Sequence, residues 1–211
     1  GFDPARKYAA IICAHPISSC KEQTSGAIYG EALTKAGFIT LAFDASTQGA
    51  SGGEPRFLED PATRVEDFRC AVDYLVTLPY VDEERIGVLG VCGGGAYAAN
   101  VAMTEKRIKA VGTVVATNYG RLMRDGDLSP DAALETLELI GKQRTAEARG
   151  AAPLISHWIP NSTQERDAAG ITPDNVDVFQ AVEYYRTPRG QNACAPNRLR
   201  FTSMGSVIGF D

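Results

Sequence analysis

The residues best placed to do chemistry are Gly90-Val91-Cys92-Gly93-Gly94, which follow an apolar run and precede a stretch of small residues. This spacing is the nucleophile-elbow pattern, with cysteine where serine usually stands. The glycines have a physical reason: such a nucleophile sits on a sharp, strained turn that only small neighbours allow. The turn would aim the Gly93 backbone N–H at the reacting atom, and the positive end of a following helix would favour the thiolate over the thiol. The alternative is a small buried cysteine filling a tight crossover.

Other groups offer less. Cys13-x-His15 with Cys20 supplies three soft ligands but no fourth, and Cys13 falls inside an apolar run, so no zinc site is expected. Ser18-x-x-Lys21 imitates a serine–lysine pair without its companion motifs. Cys70 falls in a helical pattern, whereas Cys20 and Cys194 read as loop residues at the surface. After Cys92 the one histidine is His157, flanked by Ser156 and Trp158, and it reads as a residue of an insertion rather than as a base. Asp125, Asp127 and Glu135 read as solvated acids.

The elements needed to present Cys92 are legible. Apolar runs at Tyr8–Ala14, Phe38–Phe43, Arg85–Val91 and Arg107–Ala116 have strand length and do not alternate, which suggests strands covered on both faces of a parallel sheet. Helical spacing appears at Lys21–Ala36, with Ile28, Ala32 and Leu33 on one stripe before Gly37, and at Ala62–Leu78, led by Asp60-Pro61 as cap and first helical residue. Gly93–Thr104 forms a third helix, and the alternation argues for right-handed βαβ crossovers. Beyond Ala116 the pattern turns helical, at Pro130–Arg149 and Val176–Tyr185, with no convincing buried strand, and Leu199–Asp211 is ambiguous.

His15-Pro16-Ile17-Ser18-Ser19 resembles the loop after the first strand of α/β hydrolases that gives the second oxyanion-hole N–H, with Ile17 as the donor and Ser18 next to it. His15 itself reads as a structural hydrogen-bonding residue. Phe43-Asp-Ala-Ser-Thr-Gln-Gly-Ala-Ser-Gly-Gly-Glu-Pro-Arg56 resembles the D-x-x-G-x-S-x-G loop of the same superfamily. Together with the stretches around His15 and Cys92, it resembles the dienelactone hydrolase-like and polyketide-transferase-like (X-Pro dipeptidyl-peptidase-like) branch.

The resemblance implies an α/β-hydrolase fold: a mostly parallel sheet with flanking helices and a helical cap insertion. It divides the chain into a core at 1–117, a cap at 118–197 and a return toward the core at 198–211. In that family the acid and the histidine follow the nucleophile on later strands, so the chain is expected to be truncated at both termini, with both partners outside it and no activity of its own.

The bulk properties agree with an enzyme of small molecules. The 211 residues are 44% hydrophobic and 22% charged with a formal charge of −5, and no basic stretch interleaved with aromatics marks a nucleic-acid binder. Apolar runs fall far short of the roughly 20 residues of a membrane span. Five cysteines with no CxxC pair fit a reducing, cytoplasmic setting.

The expected function is hydrolysis of an ester, thioester or lactone through Cys92 and an acyl-enzyme, or acyl transfer, with Gly93 and Ile17 as oxyanion donors. The expected partner is a small-molecule acyl substrate, without metal or cofactor, and self-association is left open. The rival is a hydrolase-fold binding module without catalysis.

Overall fold

A computed structural model describes residues 1–126, 130–157, 159–195 and 197–211. Four parallel strands form the main sheet in the order β2-β1-β3-β4: β1 (Tyr8–Ala14), β2 (Ile39–Ala42), β3 (Val81–Val91) and β4 (Ile108–Val114). With its crossover helices this is the α/β-hydrolase fold expected from the sequence. β3 runs longer than its apolar run because Val81 pairs with Tyr8 across a register shift.

The core lies on one face of the sheet. Helix α2 (Pro61–Val76) starts as expected, the Asp60 carboxylate accepting the Thr63 N–H at 3.2 Å ahead of Pro61. Its Val65, Phe68, Val72 and Leu75 are buried against Ala10, Ile12, Ile86 and Val88 of the sheet and against α3 (Gly93–Thr104). Each such side chain contributes about 2 kcal/mol of transfer free energy.

The opposite face corrects the expectation of strands covered on both sides. Alternate residues of β1, β3 and β4, among them Ile11, Leu89, Ala110 and Gly112, floor an apolar groove of about 510 Å³. β4 is largely exposed along its length. The cause lies partly in the 21–36 segment, which is not one amphipathic helix. It forms a π turn at Ser25–Gly30 and then the short α1 (Glu31–Lys35), and Ile28 of the expected apolar stripe is 48% exposed. The Gly26 N–H bonds to the Lys21 carbonyl at 2.8 Å, which winds this segment differently from an α-helix.

Residues after β4 form α4 (Tyr119–Asp125), α5 (Pro130–Ala148), α6 (Thr163–Ala168) and α7 (Val176–Tyr185). The insertion also holds a strand where none was expected: β5 (Ile155–His157) pairs antiparallel with β6 (Arg198–Arg200). These strands escape an apolar-run search because each has only three residues and β5 is incompletely buried. The ambiguous final segment is β6, a 3-10 turn (Phe201–Ser203) and α8 (Met204–Ile208), and Leu199, Met204, Val207 and Ile208 join the core. No helix among the described residues is long and apolar enough to cross a membrane.

Candidate active site

Cys92 stands between the C-terminal end of β3 and the first residue of α3, with φ +55° and ψ −126°. A non-glycine residue is rarely held there unless its surroundings enforce it. The surroundings do: the Cys92 N–H bonds to the Val114 carbonyl at 2.9 Å, and the Cys92 carbonyl accepts the N–H groups of Gly95 at 2.9 Å and Thr117 at 3.1 Å.

The flanking glycines are required by close approach. A Cβ at Gly90 would overlap the Gly94 carbonyl, and one at Gly94 would lie 2.6 Å from the His15 carbonyl oxygen. At Gly93 it would lie 2.6 Å from Ile17 Cγ1. The Gly-x-Cys-Gly-Gly spacing is thus the spacing of a backbone turn pressed against the loop that follows β1.

The N–H groups of Ile17 and Gly93 make no hydrogen bond to any acceptor among the described residues. Gly93 is the first residue of α3, whose leading amides have no intrahelical partner. Ile17, Ser18 and Cys92 line one cavity of about 280 Å³. Pro16 and residues after β4 supply its remaining walls, with Ile159, Val178, Ala181 and Tyr185 making them mainly apolar and Asp177 adding one carboxylate.

Three lining residues carry no sequence signal. The Tyr119 hydroxyl lies 3.7 Å from Cys92 Sγ. Burial, followed by the nearby Cys92, raises the Tyr119 pKa far above the usual phenol value, so the group stays protonated. Burial likewise pushes Tyr185 up to about 12. Asn197 donates its backbone N–H to the Ser18 carbonyl at 3.0 Å, tying the segment before β6 to the loop after β1.

His15 is 1% exposed and structural. Its Nε2 accepts the Ala45 N–H at 3.0 Å, which leaves the proton on Nδ1, 2.7 Å from the Pro16 carbonyl it donates to. Burial, and then the Arg64 guanidinium, hold its pKa down at about 3.

The other sequence candidates lie elsewhere. His157 is exposed on β5 and does not line the cavity, and Asp125 and Glu135 are also exposed. Asp127 and Trp158 lie outside the described residues. Cys13 and His15 do not gather with Cys20. Instead Cys20, Glu22 and Asp44 converge within 4.8 Å, and the Lys21 ammonium pairs with Glu22 at 2.8 Å and Asp44 at 3.0 Å. Lys21 is therefore engaged away from Ser18, and a cation already balances the acids.

Cys20 is fully buried, contrary to the surface position expected from its loop context, and burial pushes its thiol up to about 12. The loop that holds it folds inward because the Asp44 carboxylate accepts the Lys21 N–H at 2.7 Å.

Comparison with known proteins adds the family context. Residues 63–150 match the family described as the BAAT / acyl-CoA thioester hydrolase C-terminal domain. The chain is 43% identical over its whole length to the uncharacterized protein YcjY of Escherichia coli (strain K12), covering 67% of that protein. The crystal structure of the hypothetical protein PA2218 from Pseudomonas aeruginosa superposes with a TM-score of 0.85 at 36% identity, covering 99% of this chain and 63% of that one. The thiohydrolase aneE of Aspergillus aculeatus is 27% identical over 89% of this chain and 57% of its own length. The chain thus spans about two thirds or less of the length of each of these proteins.

Proposed function

Because the chain belongs to the family of Escherichia coli YcjY, built on the α/β-hydrolase fold, we propose that it carries the nucleophile and oxyanion hole of a hydrolase of thioester or ester bonds. Cys92 Sγ attacks the acyl carbonyl, lactones included, and the carbonyl oxygen becomes an oxyanion. The free N–H groups of Ile17 and Gly93 receive that charge, each donor contributing about 3 kcal/mol. Collapse expels the thiol or alcohol and leaves a thioester on Cys92. Water then releases the acid, or another nucleophile takes the acyl group.

The observation that carries this reading is the strained Cys92, φ +55°, opening on a mainly apolar cavity beside two backbone amides without acceptors. The cavity's Ile17, Ile159, Val178 and Ala181 suit an acyl chain, and thioester cleavage agrees with the thioester-hydrolase family match. The phenol of Tyr119, kept protonated, can donate to the Cys92 sulfur before it attacks.

Among the described residues no histidine lines the Cys92 cavity, and the general base and its acid are proposed to come from sequence beyond these residues. The 211-residue chain alone is therefore expected not to turn over. In the full-length protein, Cys92→Ser should keep weak thioesterase activity and Cys92→Ala should abolish acyl-enzyme formation. Equal activity of Cys92→Ala and wild type would contradict the assignment.

A further inference from the structure

Behind the elbow lies a connected polar cluster that acyl transfer itself does not use. His15, Glu59, Arg64 and Tyr97 are each at most 4% exposed. They come from four places in the chain: the loop after β1, the loop before α2, α2 itself and α3. Arg64 joins them. Its Nη2 donates to the His15 carbonyl at 2.8 Å, its Nε lies 3.6 Å from Glu59 Oε1, and its guanidinium stacks 5.1 Å from the centre of the Tyr97 ring. The Tyr97 hydroxyl closes the cluster by donating to Glu59 Oε1 at 2.9 Å.

The cluster's position gives it meaning. His15 is two residues before Ile17, and Tyr97 is four residues after Gly93, one turn into the same helix. The His15 carbonyl that Arg64 holds is also the atom a Cβ at Gly94 would strike. One guanidinium and one carboxylate therefore bridge the two backbone segments that carry the unbonded Ile17 and Gly93 amides.

A buried ion pair is seldom needed for stability, since an apolar replacement of similar volume often serves as well. Here Glu59 Oε2 has no hydrogen-bond partner among the described residues, so the pair is retained at a desolvation penalty.

We propose that Arg64 and Glu59 are positioning residues that fix the loop after β1 against α3, so that the Ile17 and Gly93 N–H groups converge on one oxyanion. This rests on the oxyanion-hole assignment made above. Donors act over a narrow range, about 2.7–3.1 Å from the oxyanion, and a shift of about 1 Å in reacting geometry can lower a rate about 100-fold. A charge-assisted bond to the His15 carbonyl restrains the loop more firmly than neutral contacts would.

Two reactions of the same sulfur in the full-length protein test this. Acylation of Cys92 by p-nitrophenyl butyrate develops an oxyanion, whereas its alkylation by iodoacetamide develops none. Arg64→Met and the nearly isosteric Glu59→Gln should slow acylation about 10- to 100-fold while leaving alkylation of Cys92 within about twofold, with partial recovery of acylation in Arg64→Lys. Equal slowing of both reactions would show a general loss of structure and overturn the proposal, as would unchanged acylation. Failure of the wild type to acylate at Cys92, seen before any variant is compared, would instead overturn the enzymatic reading together with this inference.

Discussion

Gly93 and Ile17 are in such close contact that a methyl group added to the glycine would stand 2.6 Å from Ile17 Cγ1. The first residue of α3 therefore packs directly against Ile17, which lines the Cys92 cavity. Gly93→Ala should push the Ile17 loop away and lower the Cys92 acylation rate at least about tenfold, with a loss of about 1–3 kcal/mol in urea unfolding. Adding Ile17→Ala should return part of both. A double-mutant cycle checks this, and additivity of the two changes would show that the contact is not coupled.

Gly94 gives a harsher case, because its neighbours are the carbonyl oxygens of His15 and Ala14, at 2.6 and 2.9 Å from a built Cβ. Backbone atoms cannot rotate away as side chains do. Gly94→Ala should cost more stability than Gly93→Ala, measured under the same urea conditions. A smaller loss would mean that the elbow is looser than its geometry indicates.

The elbow was legible in sequence because its glycines are adjacent in the chain and their cause, backbone crowding around Cys92, is local. The strands of the main sheet and the cap of α2 were legible for the same reason. The open groove over Ile11 and Leu89 was not, since an apolar run reports what a strand could bury and not what covers it. Nor was the burial of Cys20, which depends on Asp44 reaching back to the Lys21 N–H. Tyr119, Tyr185 and Asn197 reach the cavity from segments far apart in sequence, each without a motif. The Arg64–Glu59 pair carries no motif either, because its burial comes from packing between distant segments.

His15 gives the fold a dependence on pH. Its pKa is about 3 in the folded protein against 6.5 ordinarily, so between these values the unfolded chain binds the extra proton. Stability from this group is complete above about pH 6.5 and declines toward pH 3, with a slope of up to about 1.4 kcal/mol per pH unit. Asp44 adds to the decline at lower pH. Burial opposes its ionisation, but the N–H groups of Ala50 and Lys21 and the Lys21 ammonium outweigh it and lower its pKa, so its contribution is lost as pH falls through the folded value. Urea unfolding between pH 7 and 4 should show a shallower slope for His15→Gln than for wild type. Identical slopes would contradict the buried neutral imidazole.

Tyr119→Phe removes the hydroxyl that lies 3.7 Å from Cys92 Sγ while keeping the ring. The thiolate is the form that iodoacetamide alkylates, and a hydrogen bond to a charged group contributes about 1.5–3 kcal/mol, so loss of this donor should slow labelling of Cys92 by up to about tenfold at neutral pH. Labelling of exposed Cys70 and Cys194 serves as the internal reference. An unchanged rate at Cys92 would remove Tyr119 from the reaction.

The exposed sheet face should also be detectable. With an apolar groove of about 510 Å³ and an exposed β4, the 211-residue chain alone should enhance the fluorescence of a hydrophobic dye. Ala110→Lys, on an exposed β4 residue of the groove floor, should reduce that signal without altering far-UV circular dichroism. A dye signal unaffected by Ala110→Lys would place the apolar surface elsewhere.

The central claim, that the sulfur on this strained turn accepts acyl groups, is tested most directly by mass spectrometry of the full-length protein quenched in acid after brief incubation with a short-chain acyl thioester. The account predicts a single acyl adduct, mapped by peptide analysis to Cys92 and absent from Cys92→Ala. An adduct spread over the five cysteines, or none on Cys92 while the thioester is consumed, would contradict it.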